Sequence, residues 1–211
     1  MPSHTFVDLG MWEEAIESNK RSMDAALAYD RNMYKNDSTV GSRDPISEEF
    51  AHALSFLSFA QMQLARDEEV KTSLETFIFD KEGKKYAIDD GTVADALASI
   101  ALRYYIERDD WAPLESFQLM PSYFPWATFP WANLFTSYAR TMSYLQRKML
   151  SQANDALHKE LNAAWEAWTS SSKFSVTPED WKAPLVHSLS SSLSLSLSLS
   201  LSLSLSPLSL F

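Results

Sequence analysis

The stretch HTFVDLGMWEEAIESNKRSMDAA, residues 4 to 26, carries the strongest indication of fold in the chain. After Gly10, apolar side chains recur at the three- and four-residue spacing that places them on one face of a helix, at Trp12, Ala15, Ile16 and Met23. Asn19 interrupts this face. The stretch therefore predicts an amphipathic helix that begins just after Gly10.

The same periodicity returns further along the chain, beyond segments that favour turns. Residues 35–45 are rich in Asn, Asp, Ser, Gly and Pro, and are predicted to end the first helix. Ser47 and the two acids after it predict a second start, because a hydroxyl can cap exposed amides and acids favour the positive end of the helix dipole. An apolar stripe over 50–64 and a shorter one over 70–77 predict a helix hairpin. Thr92 is predicted to cap a further helix.

Prolines and aromatic residues mark the second half of the chain. Pro113 and Pro130 are predicted to lie in the first turn of a helix, where a missing amide hydrogen costs nothing. Between them, residues 116–132 (SFQLMPSYFPWATFPWA) predict an irregular, packed connector. We expect the doubled FPWA to serve packing rather than to form an aromatic patch for peptides or sugars. Helices are then predicted from Trp131 onward and from Ala153 to near Ser170.

Composition excludes several classes of partner. The formal net charge of −10 opposes binding to nucleic acid and to anionic membranes. No run of about 18 apolar residues exists that could cross a bilayer as a helix. The 211 residues include no cysteine, which is typical of a reducing compartment, and we expect a cytoplasmic protein.

The C-terminal segment differs from the rest of the chain. Residues 188–211 consist only of Ser, Leu, Pro and Phe, the four amino acids encoded by codons made wholly of pyrimidines. A simple-sequence DNA tract explains such a segment, while strict alternation of Leu and Ser would alternatively form an aggregation-prone strand. We predict a helical domain over 1–170, an irregular segment over 171–187, and a low-complexity tail without a role over 188–211.

The LG-x-W-x-x-A segment, Leu9 to Ala15, resembles the turn between the two helices of a tetratricopeptide repeat. Trp111 after ERDD and the segment AHALSFLSFAQMQLARDEE extend the resemblance to a family of uncharacterised tetratricopeptide-like proteins. The resemblance implies an all-α fold in which antiparallel helix hairpins stack as a short α-solenoid. Intervals between turns exceed the consensus period of about 34 residues. The resemblance also implies that further chain precedes Met1, because residues 1–9 supply only the end of a first helix.

In such arrays the first helices of successive units line a concave surface that binds peptides or partner proteins. We therefore expect a binding scaffold without catalysis or cofactor, whose partner is a protein or peptide. By the resemblance, the groove-facing residues are His52, Ser55, Phe59, Met62, Ser99 and Arg103.

Residues capable of catalysis or metal binding are scattered in the sequence. His4, His52, His158 and His187 lie far apart, and with no cysteine present we expect no metal site. Acidic pairs such as Glu13-Glu14 are expected to be solvated, since neighbours on a helix point about 100° apart. His4 is the exception to follow. The alternative function is a fragment of an enzyme whose active site involves His4 and residues upstream of this chain.

Overall fold

The computed structural model describes residues 2–78, 85–87 and 90–170. The predicted segments 171–187 and 188–211 lie outside the described residues. Within the described ranges the chain is predominantly helical, which confirms the all-α prediction. Residues Met1–Trp165 form one compact unit, and of the second unit, which begins at Glu166, the structure describes only the end of a helix. Among the described helices, none is both long and apolar enough to cross a bilayer.

Eight α-helices and two short strands make up the described part of the chain. In order they are α1 (Pro2–Asp8), α2 (Trp12–Met33), β1 (Asp44–Ile46), α3 (Glu48–Gln63), α4 (Asp67–Ser73), β2 (Lys85–Ala87), α5 (Gly91–Glu107), α6 (Asn133–Gln146), α7 (Leu150–Asp155) and α8 (Asn162–Ser170). Single turns of π-helix extend α4 over Leu74–Ile78 and join α7 to α8 over Ala156–Leu161. Three 3-10 turns lie between α5 and α6, at Ala112–Ser116, Trp126–Thr128 and Pro130–Ala132.

Helix α2 begins two residues after Gly10, as the opening stretch predicts. Ala15 and Ile16 are buried on its inner face. Asn19, which interrupts the apolar pattern, is also fully buried, and its Nδ2 donates a hydrogen bond to the Ala15 carbonyl oxygen at 2.8 Å. A backbone acceptor therefore satisfies the Nδ2 donor of this buried side chain, while its Oδ1 has no hydrogen-bond partner.

The predicted start of α3 is confirmed and that of α5 is wrong by two residues. The Ser47 hydroxyl accepts a hydrogen bond from the Phe50 N–H at 3.5 Å. At α5 the capping residue is Asp90, whose carboxylate accepts from the N–H groups of Thr92 at 2.7 Å and Val93 at 3.3 Å. A carboxylate that binds two free amides at the positive end of the dipole is the stronger cap, and Thr92 lies inside the first turn.

The proline-rich connector packs as predicted. Pro113 and Pro130 lie at the starts of short helical turns, although these turns are 3-10 rather than α. Phe124 and Phe129 are buried, and their rings stack with centroids 5.5 Å apart. Helix α6 begins at Asn133, just beyond the last of these turns.

A short parallel ladder is an element that the sequence analysis did not predict. Asp44, Pro45 and Ile46 of β1 pair with residues 85–87 of β2. Both strands are three residues long, and β1 overlaps the end of the polar stretch 35–45 that was predicted to be a turn. Hydropathy does not reveal such a pairing, because the two partners are about 40 residues apart in the sequence and each is too short for a periodic pattern.

Four helix-to-helix turns share one backbone geometry. In each turn a single residue has a left-handed conformation: Gly10 (φ 70°), Ala65 (φ 54°), Asp109 (φ 54°) and Lys148 (φ 60°). In the first turn the Gly10 N–H donates to the Val7 carbonyl at 3.0 Å and the Met11 N–H to the Phe6 carbonyl at 2.8 Å. The other three turns repeat this pair of bonds, which closes the end of a helix by satisfying its last carbonyl groups.

The four turns recur along the chain with equivalent contacts. The left-handed residues are separated by 55, 44 and 39 residues, from Gly10 to Ala65, Asp109 and Lys148. An arginine beside each of the last three turns forms an ion pair with an acid that follows the preceding turn; the pairs are Arg66 with Glu13, Arg108 with Asp67 and Arg147 with Glu115. The four turns thus recur in both backbone geometry and charge.

Helices α3 and α5 lie side by side and run parallel. Near their first turns, the Thr92 hydroxyl donates a hydrogen bond to the Glu48 carboxylate at 3.3 Å. Near their last turns, the Arg103 guanidinium lies 5.3 Å from the centroid of the Phe59 ring. Both contacts join residues 44 positions apart, which is the interval between the left-handed residues Ala65 and Asp109.

The left-handed turns generate a prediction for stability. Replacing Ala65 with Gly should raise the free energy of unfolding by about 1 kcal/mol, because Gly adopts φ 54° without the Cβ clash that Ala suffers. Urea-induced unfolding followed by circular dichroism measures the change.

The matched control is the same substitution inside a helix. Ala28 is exposed in α2, and Ala28→Gly should lower the free energy of unfolding by about 1 kcal/mol. If both glycine variants are destabilised, Ala65 is not left-handed in solution.

Candidate functional site

A cleft opens between the parallel helices α3 and α5 and has a volume of about 260 Å³. Its walls combine aromatic, hydroxyl and charged side chains from both helices. The lining residues are His52, Ser55, Phe56 and Phe59 of α3 and Thr92, Asp95, Ala96 and Arg103 of α5. We call this the α3–α5 cleft.

The α3–α5 cleft brings together four of the six residues that the sequence predicted to face a groove. These are His52, Ser55, Phe59 and Arg103. The remaining two do not line it. Met62 is 3% exposed and Ser99 is 8% exposed, so both lie within the helix packing instead of at a surface.

Arg103 and Phe59 form one end of the cleft. The guanidinium lies against the Phe59 ring, and the Phe59 ring meets Trp12 edge-on with centroids 5.8 Å apart. Burial lowers the pKa of the Arg103 guanidinium, while Asp95 and Glu107 oppose that shift. Arginine stays protonated in proteins, so this lowering describes the cost of surrounding a permanent cation with protein.

Asp95 is the charged residue of the α3–α5 cleft that sequence reasoning missed. Burial raises the pKa of its carboxyl group, and the positive charge of Arg103 only partly offsets this. Its carboxylate forms no hydrogen bond or ion pair with another described residue. The sequence does contain a signal: Asp95 is the only charged residue in the otherwise apolar and small run from Val93 to Leu102.

Asp95 and Arg103 give the cleft two opposite charges without pairing them to each other. Eight residues on one helix correspond to about 12 Å along its axis between the two backbones. The two side chains form no direct ion pair, although each charge acts on the other. The carboxylate and the guanidinium are therefore both available to a ligand. The arrangement can bind a cationic group at one end of the cleft and an anionic group at the other.

Two histidines from different helices, α1 and α3, meet beside the cleft. The Nε2 atoms of His4 in α1 and His52 in α3 are 3.0 Å apart. The Phe56 ring stacks on His4 with centroids 4.5 Å apart and lies 5.0 Å from His52. Burial and the neighbouring His4 lower the pKa of His52. Their separation of 48 residues explains why spacing in the sequence did not reveal this pair.

A second cleft, between α2 and α3, has a volume of about 630 Å³ and an acidic lining. His52, Glu48 and Glu49 contribute from α3, and Asp30 contributes from α2. Asp30 is 2% exposed, and burial raises the pKa of its carboxyl group. A hydrogen bond with Ser47 lowers this pKa and only partly offsets the effect of burial. Among the described residues, no group of three or more His, Cys, Asp or Glu side chains is arranged around a metal position.

Comparison of the chain with family models, curated proteins and solved structures gives no match. The resemblance to tetratricopeptide repeats therefore rests on the residues named above and stays a prediction. The candidate site is defined by geometry alone.

The unpaired carboxyl group in the cleft predicts a pH-dependent stability. The folded-state pKa of Asp95 is raised, so the protonated carboxyl group favours the folded state. This contribution to the free energy of unfolding is fully present below the usual pKa of about 3.9, and it is lost as the pH rises through the folded-state pKa. Asp95→Asn should therefore be more stable than the wild type at pH 7. Urea unfolding at a series of pH values should show the difference shrinking toward pH 4.

Asp37 supplies a control of opposite sign. Hydrogen bonds from Thr39 lower the pKa of its exposed carboxyl group. Asp37→Asn should consequently be less stable than the wild type at pH 7, and this deficit should fade as the pH falls. If Asp95→Asn is less stable than the wild type at pH 7, Asp95 is not an unpaired, desolvated carboxyl group. The same holds if the difference in free energy of unfolding between the two proteins does not vary with pH.

Proposed function

We propose that the protein is a peptide-binding scaffold built from stacked helix hairpins, without catalysis of its own, and that the α3–α5 cleft is its binding site. The observation that carries this proposal is the pair of unmatched opposite charges, Asp95 and Arg103, facing one cleft between two first helices. The partner is an extended segment of another protein or a free peptide.

The repeated turns support the stacked arrangement. Each left-handed turn ends one helix and begins the next, so α1, α3 and α5 occupy equivalent places as first helices of their pairs. Contacts between His4 and His52, and between Phe59 and Arg103, join these first helices side by side. In tetratricopeptide-like arrays the corresponding helices line the concave binding surface.

The energetics of the cleft support a role in binding. Surrounding a carboxylate and a guanidinium with protein is unfavourable unless each is paired, and neither Asp95 nor Arg103 forms an ion pair with a described residue. Apolar side chains at both positions would give a more stable fold. Groups that cost stability in the free protein are typical of sites whose partner supplies the missing interaction.

The spacing of the two charges defines the chemistry of the ligand. An extended peptide rises about 3.3 Å per residue, so the rise of about 12 Å along α5 between the backbones of Asp95 and Arg103 corresponds to about four residues of a peptide that lies along the helix. Side chains four residues apart point to the same side of an extended segment. The ligand therefore carries a basic and an acidic side chain four residues apart, with small or apolar residues between them to contact Phe59 and Ala96.

One observation favours a second candidate function. The close approach of His4 to His52 brings two possible proton-transfer groups together at the surface, as the enzyme alternative requires of His4. His52 lines both of the clefts described above and His4 lines neither, so the two imidazoles do not share either cleft. We therefore place this alternative second.

A peptide array tests the proposal directly. Synthetic peptides with one Glu and one Arg, separated by one to eight positions in a background of Leu, Ser and Ala, are probed with the full-length protein. We expect the strongest binding at a separation of about four. Arg103→Gln and Asp95→Asn should each weaken binding of the best peptide at least about tenfold, since each leaves a charge of the peptide unpaired.

Arg21→Gln is the matched control, because Arg21 is exposed on α2 and lines neither cleft. This variant should retain the affinity and spacing preference of the wild type. Absence of binding across the array, or an unchanged spacing preference in both cleft variants, refutes the proposal.

A further inference from the structure

The cleft between α2 and α3, which we call the α2–α3 cleft, has the size of a small-molecule site and an acidic lining. Its volume of about 630 Å³ lies within the range of ligand-binding clefts. We propose that the α2–α3 cleft binds a linear aliphatic polyamine, a molecule in which ammonium groups alternate with short methylene chains. This proposal does not depend on peptide binding in the α3–α5 cleft.

The charges around the α2–α3 cleft have one sign. Asp30 of α2 and the neighbouring Glu48 and Glu49 of α3 line it, and the described residues of its lining include no lysine or arginine. Burial and the neighbouring His4 lower the pKa of His52, so the His52 ring adds no positive charge at pH 7. A cleft lined by carboxylates alone has a negative potential that attracts cations.

Asp30 is the buried member of this acidic set. It is 2% exposed although it lines the cleft, and its Oδ2 atom has no hydrogen-bond partner among the described residues. Burial raises the pKa of its carboxyl group, and the negative charge of Glu49 raises it further. A hydrogen bond with Ser47 opposes these effects without neutralising the charge. Because a buried carboxylate is costly unless a cation accompanies it, a cation in the cleft supplies the missing interaction.

The remaining walls of the α2–α3 cleft suit methylene chains. Ala25 and Ala26 contribute small apolar side chains from α2, and Tyr29 contributes an aromatic ring. Tyr29 is 63% exposed, which leaves its ring open to a ligand. An ammonium group is attracted to the face of an aromatic ring, and aliphatic stems cover apolar surface next to charged groups. The lining therefore offers contacts to both parts of a polyamine.

The placement of the carboxylates favours a ligand whose charges are spread. Among the residues that the structure describes, no three His, Cys, Asp or Glu side chains surround a metal position. Glu48 also binds α5, since its Oε1 accepts from the Thr92 hydroxyl at 3.3 Å, whereas the charge of Glu49 acts on Asp30. A molecule with several ammonium groups along one chain can meet these separate charges, and a single metal ion cannot.

Isothermal calorimetry of the full-length protein with spermidine tests this inference. The ionic strength is set at about 0.15 M, which screens loose association of a polyamine with an acidic protein. We expect one spermidine to bind per chain, and octanediol, a neutral chain of similar length, to show no binding. Asp30→Asn should weaken spermidine binding at least about tenfold. Glu49→Gln, which removes an exposed carboxylate, should weaken it about fivefold.

Asp24→Asn is the matched control, because Asp24 is exposed on α2 and lines neither cleft. This variant should bind spermidine as the wild type does. In the wild type, NMR should show spermidine shifting the ring signals of Tyr29 more than those of Tyr123, which is also exposed, and this readout needs no variant. Equal affinity of the Asp24 and Asp30 variants, or unchanged Tyr29 signals, overturns the assignment.

Two further titrations define the ligand and separate the two proposals. Tri-lysine carries its ammonium groups on a peptide, so if it binds more tightly than spermidine, the cleft is a site for basic peptides and the polyamine assignment is wrong. Arg103 lines only the α3–α5 cleft of the two, and Arg103→Gln should therefore leave spermidine binding unchanged while it weakens peptide binding. Failure of one proposal is thus visible without failure of the other.

Discussion

The left-handed residue at the end of each first helix is the constraint on which the rest of the structure depends. It closes the helix, reverses the chain within three residues, and starts the second helix of the pair. Only Gly10 adopts this conformation without steric cost, while Ala65, Asp109 and Lys148 adopt it against their own preference. Packing of the helices on both sides must therefore supply the energy that holds three of the four turns.

The proposed function rests on the placement that these turns impose. Because every pair reverses in the same way, α3 and α5 run parallel, and equivalent faces of the two helices meet along their length. Phe56 and Phe59 line part of the cleft between them, and Asp95 and Arg103 add two opposite charges to it. A fold that only required stability would have small apolar residues at these two positions. This is why we propose a binding role for the cleft.

Much of this architecture could be predicted from the sequence, because amphipathic helices and their turns are local features. The start of α3 at Ser47 and the first-turn prolines needed only neighbouring residues. Interactions between distant residues could not be predicted. The His4–His52 contact and the β1–β2 ladder join positions about 40 to 50 residues apart. Asp95 lies in a cleft only because α3 packs beside α5. Four of the six predicted groove residues line the α3–α5 cleft, and they were chosen by the resemblance because spacing alone does not pair helices.

The parallel alignment of α3 and α5 is tested most directly by the distance between their ends. The chain has no cysteine, so nitroxide labels can be attached to pairs of introduced cysteines at exposed positions. Electron-spin distance measurements should give a Gln63–Glu107 separation shorter than that of Glu48–Glu107 by roughly 15 Å, since α3 rises about 1.5 Å per residue. A longer distance for Gln63–Glu107 means that the helices run antiparallel, and the account of the cleft is then wrong.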